Sequence, residues 1–222
     1  MTDRVTMLRV LPGITDYSAA LDLQRSLVDR RREGEIGDVL LLLEHPPVIT
    51  LGRHADPNGV VAAESLLASR GIEVHRIERG GQATYHGPGQ VVGYPILALG
   101  ERRMGVGAYV RRLEEVMVRA AERLGVVAEK RDGVVGTFTS RGKVGAVGVR
   151  VARGISFHGF AFNVEPNLDH FRLIVPCGMP EMPVASVRSI LGRSPGMAAA
   201  REALAEAFEE AFATRLVPTD AI

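Results

Sequence analysis

Two alternating stretches, Lys143-Val144-Gly145-Ala146-Val147-Gly148-Val149-Arg150-Val151 and Ile155-Ser156-Phe157-His158-Gly159-Phe160-Ala161-Phe162-Asn163-Val164, face each other across Gly154. Side chains that alternate in character belong to strands with two unlike faces, and a glycine at the joint supplies a tight reversal. The pair predicts a β-hairpin. Hairpins run neighbouring strands antiparallel, so the sheet is mixed and largely antiparallel rather than doubly wound.

The flanking elements fit such a sheet. Val39 to Leu43 is an unbroken apolar run, as expected of a strand buried on both faces. His45-Pro46-Pro47 interrupts it, and Val48 to Leu51 resumes as a short strand. Glu73 to Ile77, Val91 to Leu97 and Phe171 to Val175 read as further strands, and residues 52–60 as a loop. Tyr17, Ala20, Leu21, Gln24, Leu27 and Val28 fall at helical spacing within 16–33. Tyr109, Leu113, Val116, Met117, Ala120 and Leu124 form a stripe that stops at Gly125. A short helix over Glu64 to Ser69 ends at Gly71, and Met197, Leu204, Phe208, Ala211 and Phe212 line a last helix. The expected class is α/β of the α+β type, helices flanking the sheet, in one domain over 1–222. The segment from about 180 onward reads as a cap.

Composition narrows the function classes. The chain has 222 residues, 46% hydrophobic and 24% charged, which is globular and long enough to form a core without disulfides or metal. Its 27 basic and 26 acidic residues leave a formal charge of +1, which argues against bulk nucleic-acid binding. Arg30-Arg31-Arg32 and Arg111-Arg112 are local basic runs, either solvated helix faces or a rim that steers an acidic partner. One cysteine excludes an internal disulfide and fits a reducing compartment. The first residues lack a basic then apolar leader, and no apolar run approaches the ~18–20 residues of a membrane helix. We expect a cytoplasmic monomer. The six histidines show no metal-ligand spacing, and no Gly-x-Ser-x-Gly elbow is present, so we expect no metal, no cofactor and no serine nucleophile.

Three features carry chemistry. Cys177 stands in Val175-Pro176-Cys177-Gly178-Met179-Pro180. A free cysteine is commonly a small buried hydrophobe, but proline and glycine on either side favour a sharp, exposed turn where a thiolate could act as nucleophile. His158, His170 or a lysine could supply the cation that favours the thiolate. Lys143 heads a strand whose small residues, Gly142, Gly145, Ala146 and Gly148, would let another chain or an acyl tail approach the backbone. Such a lysine is either an ordinary surface group or an acid–base catalyst. The run Arg79-Gly80-Gly81-Gln82-Ala83-Thr84-Tyr85-His86-Gly87-Pro88-Gly89-Gln90 matches neither nucleotide-binding glycine fingerprint. It reads as a loop, connecting or lining a wall.

Taken together, 79–90, Gly142 to Arg150, Ser156 to Val164 and Val175 to Gly178, with Leu43 to Arg53 ahead of them, resemble the lipoyl(octanoyl) transferases of the biotin and lipoate protein ligase superfamily. The resemblance spans about 38–192, which it implies is a catalytic core, with the last helix over about 197–213. It implies a biotin/lipoate-ligase-like sheet around an acyl tunnel and octanoyl transfer from acyl carrier protein to a lipoyl-domain lysine. The implied acceptors are the lipoyl domains of 2-oxoacid dehydrogenase complexes and the glycine-cleavage carrier protein. Cys177 matches the acyl-thioester cysteine and Lys143 the lysine that lowers its pKa and shuttles protons. Arg79, Gly80, Gly81, Gln82, Ala83, Thr84, Tyr85 and His86 match a substrate-lining loop, and Ala146, Val147, Gly148, Gly159, Phe160 and Ala161 two substrate-contacting strands. Phe157 and Phe162 are further tunnel candidates. The chain departs from the family in having Val135-Gly136-Thr137-Phe138 where a tryptophan is usual, a role Phe138 could largely fill, and Ala185 where a threonine is usual. Competing readings are an ATP-dependent ligase, an amidotransferase between carrier proteins, and an acyl-carrier-binding scaffold without activity.

Overall fold

The computed structural model describes residues 4–56, 58–175 and 182–221. Val5–Ile14 forms β1, Tyr17–Arg32 α1, Asp38–Glu44 β2, Val48–Leu51 β3, Glu64–Ser69 α2 and Glu73–Arg76 β4. Next come β5 (Ala83–His86), β6 (Gln90–Ile96), α3 (Val106–Arg123), β7 (Glu129–Arg131), β8 (Val134–Thr139), β9 (Gly142–Ala152) and β10 (Ile155–Asn163). A 3-10 helix over Leu168–Leu173 precedes α4 (Val187–Leu191), α5 (Met197–Phe212) and β11 (Arg215–Pro218).

Eight strands form one sheet in the order β11-β1-β2-β6-β10-β9-β8-β7, and a second sheet runs β4-β3-β5. β11, β1 and β2 are parallel, whereas every neighbouring pair from β2 to β7 is antiparallel. This is the mixed, largely antiparallel sheet that the central hairpin demanded. β9 and β10 pair with Ala146 opposite Ala161 and Gly148 opposite Gly159.

The unbroken apolar run of β2 has a direct physical use. Leu40 and Leu42 face a core shared with α3 and α5, while Val39, Leu41 and Leu43 face one shared with α1. The large sheet is therefore covered on both faces. α1 starts where the Asp16 carboxylate accepts the Ala19 N–H, and its stripe lies against β2, β6 and β10. The small sheet and α2 enclose a third cluster around Ile49, Tyr85, Phe171 and Leu173. Among the described residues no helix is long and apolar enough to cross a membrane.

Several expectations need correction. Phe171 to Val175 is not a strand: Leu168–Leu173 is a 3-10 helix with Asn167 as its cap, and Ile174 alone bridges to Val60. A short apolar run does not reveal its period, and the Pro166-Asn167 start decides the matter. The glycine-rich run is not wholly a loop, because Ala83–His86 is a strand paired with β3. The segment after 180 is no separate cap, since α5 buries Leu204, Phe208 and Phe212 in the same core as α3. Arg31 is not a solvated rim residue: it bonds Asp38 at 2.8 Å and Glu101 at 2.7 Å, with Arg30 and Arg32 paired to nearby carboxylates.

Asp38 is the centre of that knot. It accepts from Arg31, from Arg102 at 2.7 Å and from the Ala98 N–H at 3.0 Å, while Arg102 also reaches Thr6 on β1. Removing the carboxylate leaves two nearly buried guanidinium groups without their shared anion. Asp38→Ala should therefore lower unfolding free energy by about 3 kcal/mol, checked by urea denaturation. A loss of a few tenths would show that the knot is dispensable.

Candidate active site

A cavity lies between the two sheets. Its floor comes from the large sheet: Val92 and Tyr94 of β6, Ala146 and Gly148 of β9, and His158, Gly159 and Ala161 of β10. Its roof is the 79–86 run, with Arg79, Gly81, Gln82, Ala83, Thr84 and His86, and Tyr17 of α1 closes one end. About 510 Å³ between these walls is free of protein atoms, part of it open to solvent. A second, smaller cavity holds Lys143, Gln90, Asn163 and Val184, and shares Thr84, Ala146 and Ala161 with the first. The two cavities adjoin at these shared residues, whose side chains are short.

Lys143 occupies the smaller end and is only 6% exposed. Its Nζ donates to the Val135 carbonyl at 2.9 Å and lies 5.5 Å from the centre of the Phe138 ring. Phe138 thus places an aromatic face beside the ammonium, the position in which the resemblance led one to expect tryptophan. The backbone of Lys143 is strapped as well: its N–H donates to Pro183 O, and its carbonyl accepts the Ala185 N–H. Ala185 makes these contacts through its main chain, and its carbonyl also accepts from Asn163 Nδ2. Cys177 lies outside the described residues.

The small residues around Lys143 answer to the protein's own packing. A methyl group on Gly145 would stand 2.5 Å from Met117 Sδ, and one on Gly148 would stand 2.8 Å from Arg79 Cδ. One on Gly142 would strike the Pro183 carbonyl. Of the four, Ala146 and Gly148 line the main cavity, and Gly145 and Ala146 the smaller one.

Tyr17, His86, Tyr94 and His158 line the main cavity, and His45 backs Tyr94. The His45 Nδ1 faces the Thr15 carbonyl at 2.8 Å, so it carries the proton, and Nε2 accepts from the Tyr94 hydroxyl at 2.7 Å. Gln90 gives its amide N–H groups to Tyr85 O and Asn163 Oδ1 and turns its oxygen to His86 Nδ1 at 2.7 Å. His86 is therefore protonated at Nδ1 and offers a bare Nε2. Burial pushes His86 down to about 3, and His45 and His158 to about 4. His158 sits at φ 53 within β10, its N–H donating to Gln24 Oε1. Its Nε2 and Gln24 Nε2 find no partner among the described residues. Arg79 is held by the Thr50 carbonyl at 2.7 Å and the Gly80 carbonyl at 2.9 Å.

Most of the predicted residues meet here. Arg79, Gly81, Gln82, Ala83, Thr84, His86, Ala146, Val147, Gly148, Gly159, Phe160 and Ala161 border the main cavity, and Lys143 the smaller one. Two do not: Gly80 serves by its N–H to Val149 O, and Tyr85 points into the small-sheet core with its hydroxyl on His170. Val147 and Phe160 border the cavity while their side chains pack toward α3 and α5. Phe157 and Phe162 are core residues, not tunnel lining. Neither His158 nor His170 suits the role of cation, since burial lowers the pKa of both. Tyr17, Val92 and Tyr94 were missed. They belong to apolar stripes, and nothing in such a stripe marks which member borders a cavity.

Comparison with known proteins agrees with this geometry. The lipoyl protein ligase A/B catalytic domain matches residues 16–209. An octanoyltransferase of Koribacter versatilis is 47% identical over 194 residues, covering 85% of this chain and 77% of its own. One of Alkaliphilus metalliredigens is 41% identical over 208 residues, covering 93% and 95%, and one of Chloroflexus aurantiacus 46% over 204, covering 90% and 92%. Among solved structures, a lipoate-protein ligase A bound with ATP superposes with a TM-score of 0.73 at 19% identity, over 100% of this chain and 90% of that one. A bipartite lipoate protein ligase of Thermoplasma acidophilum gives 0.72 at 18% identity, over 100% and 88%. At such identities the structural likeness is one of fold.

The buried histidines set an acid limit. Each takes up a proton less readily folded than unfolded, where the value is near 6.5. Below that pH the unfolded chain binds more protons, so this contribution is intact above about pH 6.5 and is lost as pH falls toward 4. The slope is up to about 1.4 kcal/mol per pH unit for each histidine protonated only when unfolded. Urea unfolding at pH 7.5, 6 and 5 should show the decline, and His86→Gln should make it shallower. Equal stability at pH 7.5 and 5 would contradict the assignment.

Proposed function

The chain belongs to the octanoyltransferases, within the lipoyl protein ligase A/B catalytic-domain family, and on that premise we propose how it acts: octanoyl-acyl carrier protein donates, a lipoyl-domain lysine accepts, and Cys177 carries the acyl group between them. It is an acyltransferase, as its relatives are. The observation that carries the reading is Lys143, a nearly buried amine in a cavity that adjoins the larger one between the sheets. The chain leaving the Cys177 segment is hydrogen-bonded to that same residue's backbone.

In the first half-reaction the Cys177 thiolate, favoured by the Lys143 ammonium, attacks the thioester carbonyl. A new S–C bond forms, the bond to the carrier sulfur breaks, and the departing thiolate takes a proton from Lys143. In the second, the neutral amine of the acceptor lysine attacks the acyl-enzyme. The amide forms, the Cys177 thiolate leaves, and the surplus proton returns to Lys143. The starting state is restored, and thioester energy makes the amide without ATP. The apolar stretch past Ala146 and Ala161 accommodates the acyl chain. We read the acceptors as lipoyl domains of 2-oxoacid dehydrogenases and the glycine-cleavage carrier, and the whole chain as one catalytic domain.

Incubation with octanoyl carrier protein should add one octanoyl mass, removed by hydroxylamine and absent from Cys177→Ser. An unmodified mass during turnover would sink the covalent scheme. Full turnover should need no ATP, and strict ATP dependence would favour the ligase reading instead.

A further inference from the structure

We propose that Glu114 is a positioning residue for Lys143, acting through the single peptide group between Val135 and Gly136. This rests on the role given to Lys143 above.

α3 carries two adjacent glutamates with different fates. Glu115 pairs at the surface with Arg119 and Lys130. Glu114 turns inward, is nearly buried, and its Oε1 accepts the Gly136 N–H at 2.6 Å. Its main-chain carbonyl accepts the Thr137 hydroxyl at 3.4 Å, tying α3 to the same point of β8. The carbonyl that receives Lys143 Nζ is that of Val135. It belongs to the same peptide unit as the Gly136 N–H.

A trans peptide is rigid and planar, and its N–H and C=O point in opposite directions. Holding the N–H on one side therefore aims the carbonyl at the other. The carboxylate and the ammonium lie at the two ends of one amide dipole. An anion at the N–H raises the negative charge on the carbonyl oxygen, so the two hydrogen bonds strengthen each other. Gly136 permits the arrangement. Its φ of 138 suits glycine, and a side chain there would strike Lys143 Cε and stand 2.9 Å from Nζ. The lysine stem crosses the bare face of that residue.

Without the anchor the peptide is free to turn and the ammonium loses its fixed place. Displacement of a catalytic group by about 1 Å can cost ~10²-fold in rate. The test compares Glu114→Ala, Glu114→Asp and Glu114→Gln with Lys143→Ala, each in the full chain and each checked for folding by circular dichroism. Two quantities are read: the single-turnover acylation rate with octanoyl carrier protein, and the pH midpoint of Cys177 alkylation by iodoacetamide. Glu114→Ala and Glu114→Asp, whose shorter acid falls short of the N–H, should slow acylation by about 10²-fold. They should also raise the alkylation midpoint toward that of Lys143→Ala. Glu114→Gln retains an acceptor oxygen and should recover most of both. If Glu114→Ala fails to fold, the Asp and Gln pair decides. Folded Ala or Asp variants with wild-type rate and midpoint overturn the proposal, as does a Gln variant no better than Asp. A Lys143→Ala enzyme that acylates normally overturns the role of Lys143, and this inference with it.

Discussion

A chain of buried amides holds the two sheets at a fixed separation. Gln90, at the start of β6, bonds the Tyr85 carbonyl on the small sheet and the Asn163 side chain on the large one, and orients His86 with its oxygen. Asn163 passes the contact to the Ala185 carbonyl, and the Ala185 N–H ends on the Lys143 carbonyl. Each amide is out of water, so a broken link leaves a buried polar group unpaired, at about 1–3 kcal/mol. The network sets the height of the smaller cavity, where Lys143 stands.

Around that network the sheet is asymmetric by design of its sequence. The face toward α3 and α5 takes Leu40, Leu42, Phe160 and Phe162, a continuous apolar core. The opposite face takes α1 over β6 and β10 but gives way, beyond Tyr94, to the main cavity. Alternation along β10 divides the two tasks between neighbours: Phe160 packs toward the helices, and Ala161 borders the space between the sheets. A shift of one residue in the β9–β10 register would exchange them.

How much of this could be read beforehand follows from the same division. The hairpin and the helices α1, α3 and α5 were legible because each repeats a period over many residues, and β2 because its apolar run is unbroken and flanked by charge. β1, β7, β8 and β11 were not. They are edge or near-edge strands with mixed, partly exposed patterns, and their pairing depends on partners distant in sequence. Most residues bordering the two cavities were legible as motifs, since glycine, lysine and a polar loop are uncommon in strands. What the motif hid was the reason for the glycines. Gly145 and Gly148 admit Met117 and Arg79, and so describe contacts within the protein before any with an acyl chain. His158 was visible as a residue but not as a neutral one, because its depressed pKa comes from burial that no local pattern encodes.

The electrostatics of the cavities follow from who is neutral. With His45, His86 and His158 all held below their ordinary range by burial, the wall of the main cavity carries no imidazolium at neutral pH. A neutral wall can border an apolar chain without leaving a charge unsolvated, which would cost far more than a polar contact. Arg79, the cation on that side, is turned toward the Thr50 and Gly80 carbonyls. Lys143, in the adjoining smaller cavity, is enclosed to a similar degree, with its Nζ on the Val135 carbonyl. The same burial that keeps the histidines uncharged also encloses Lys143, so the packing between the sheets sets the electrostatics of the cavities as well as the fold.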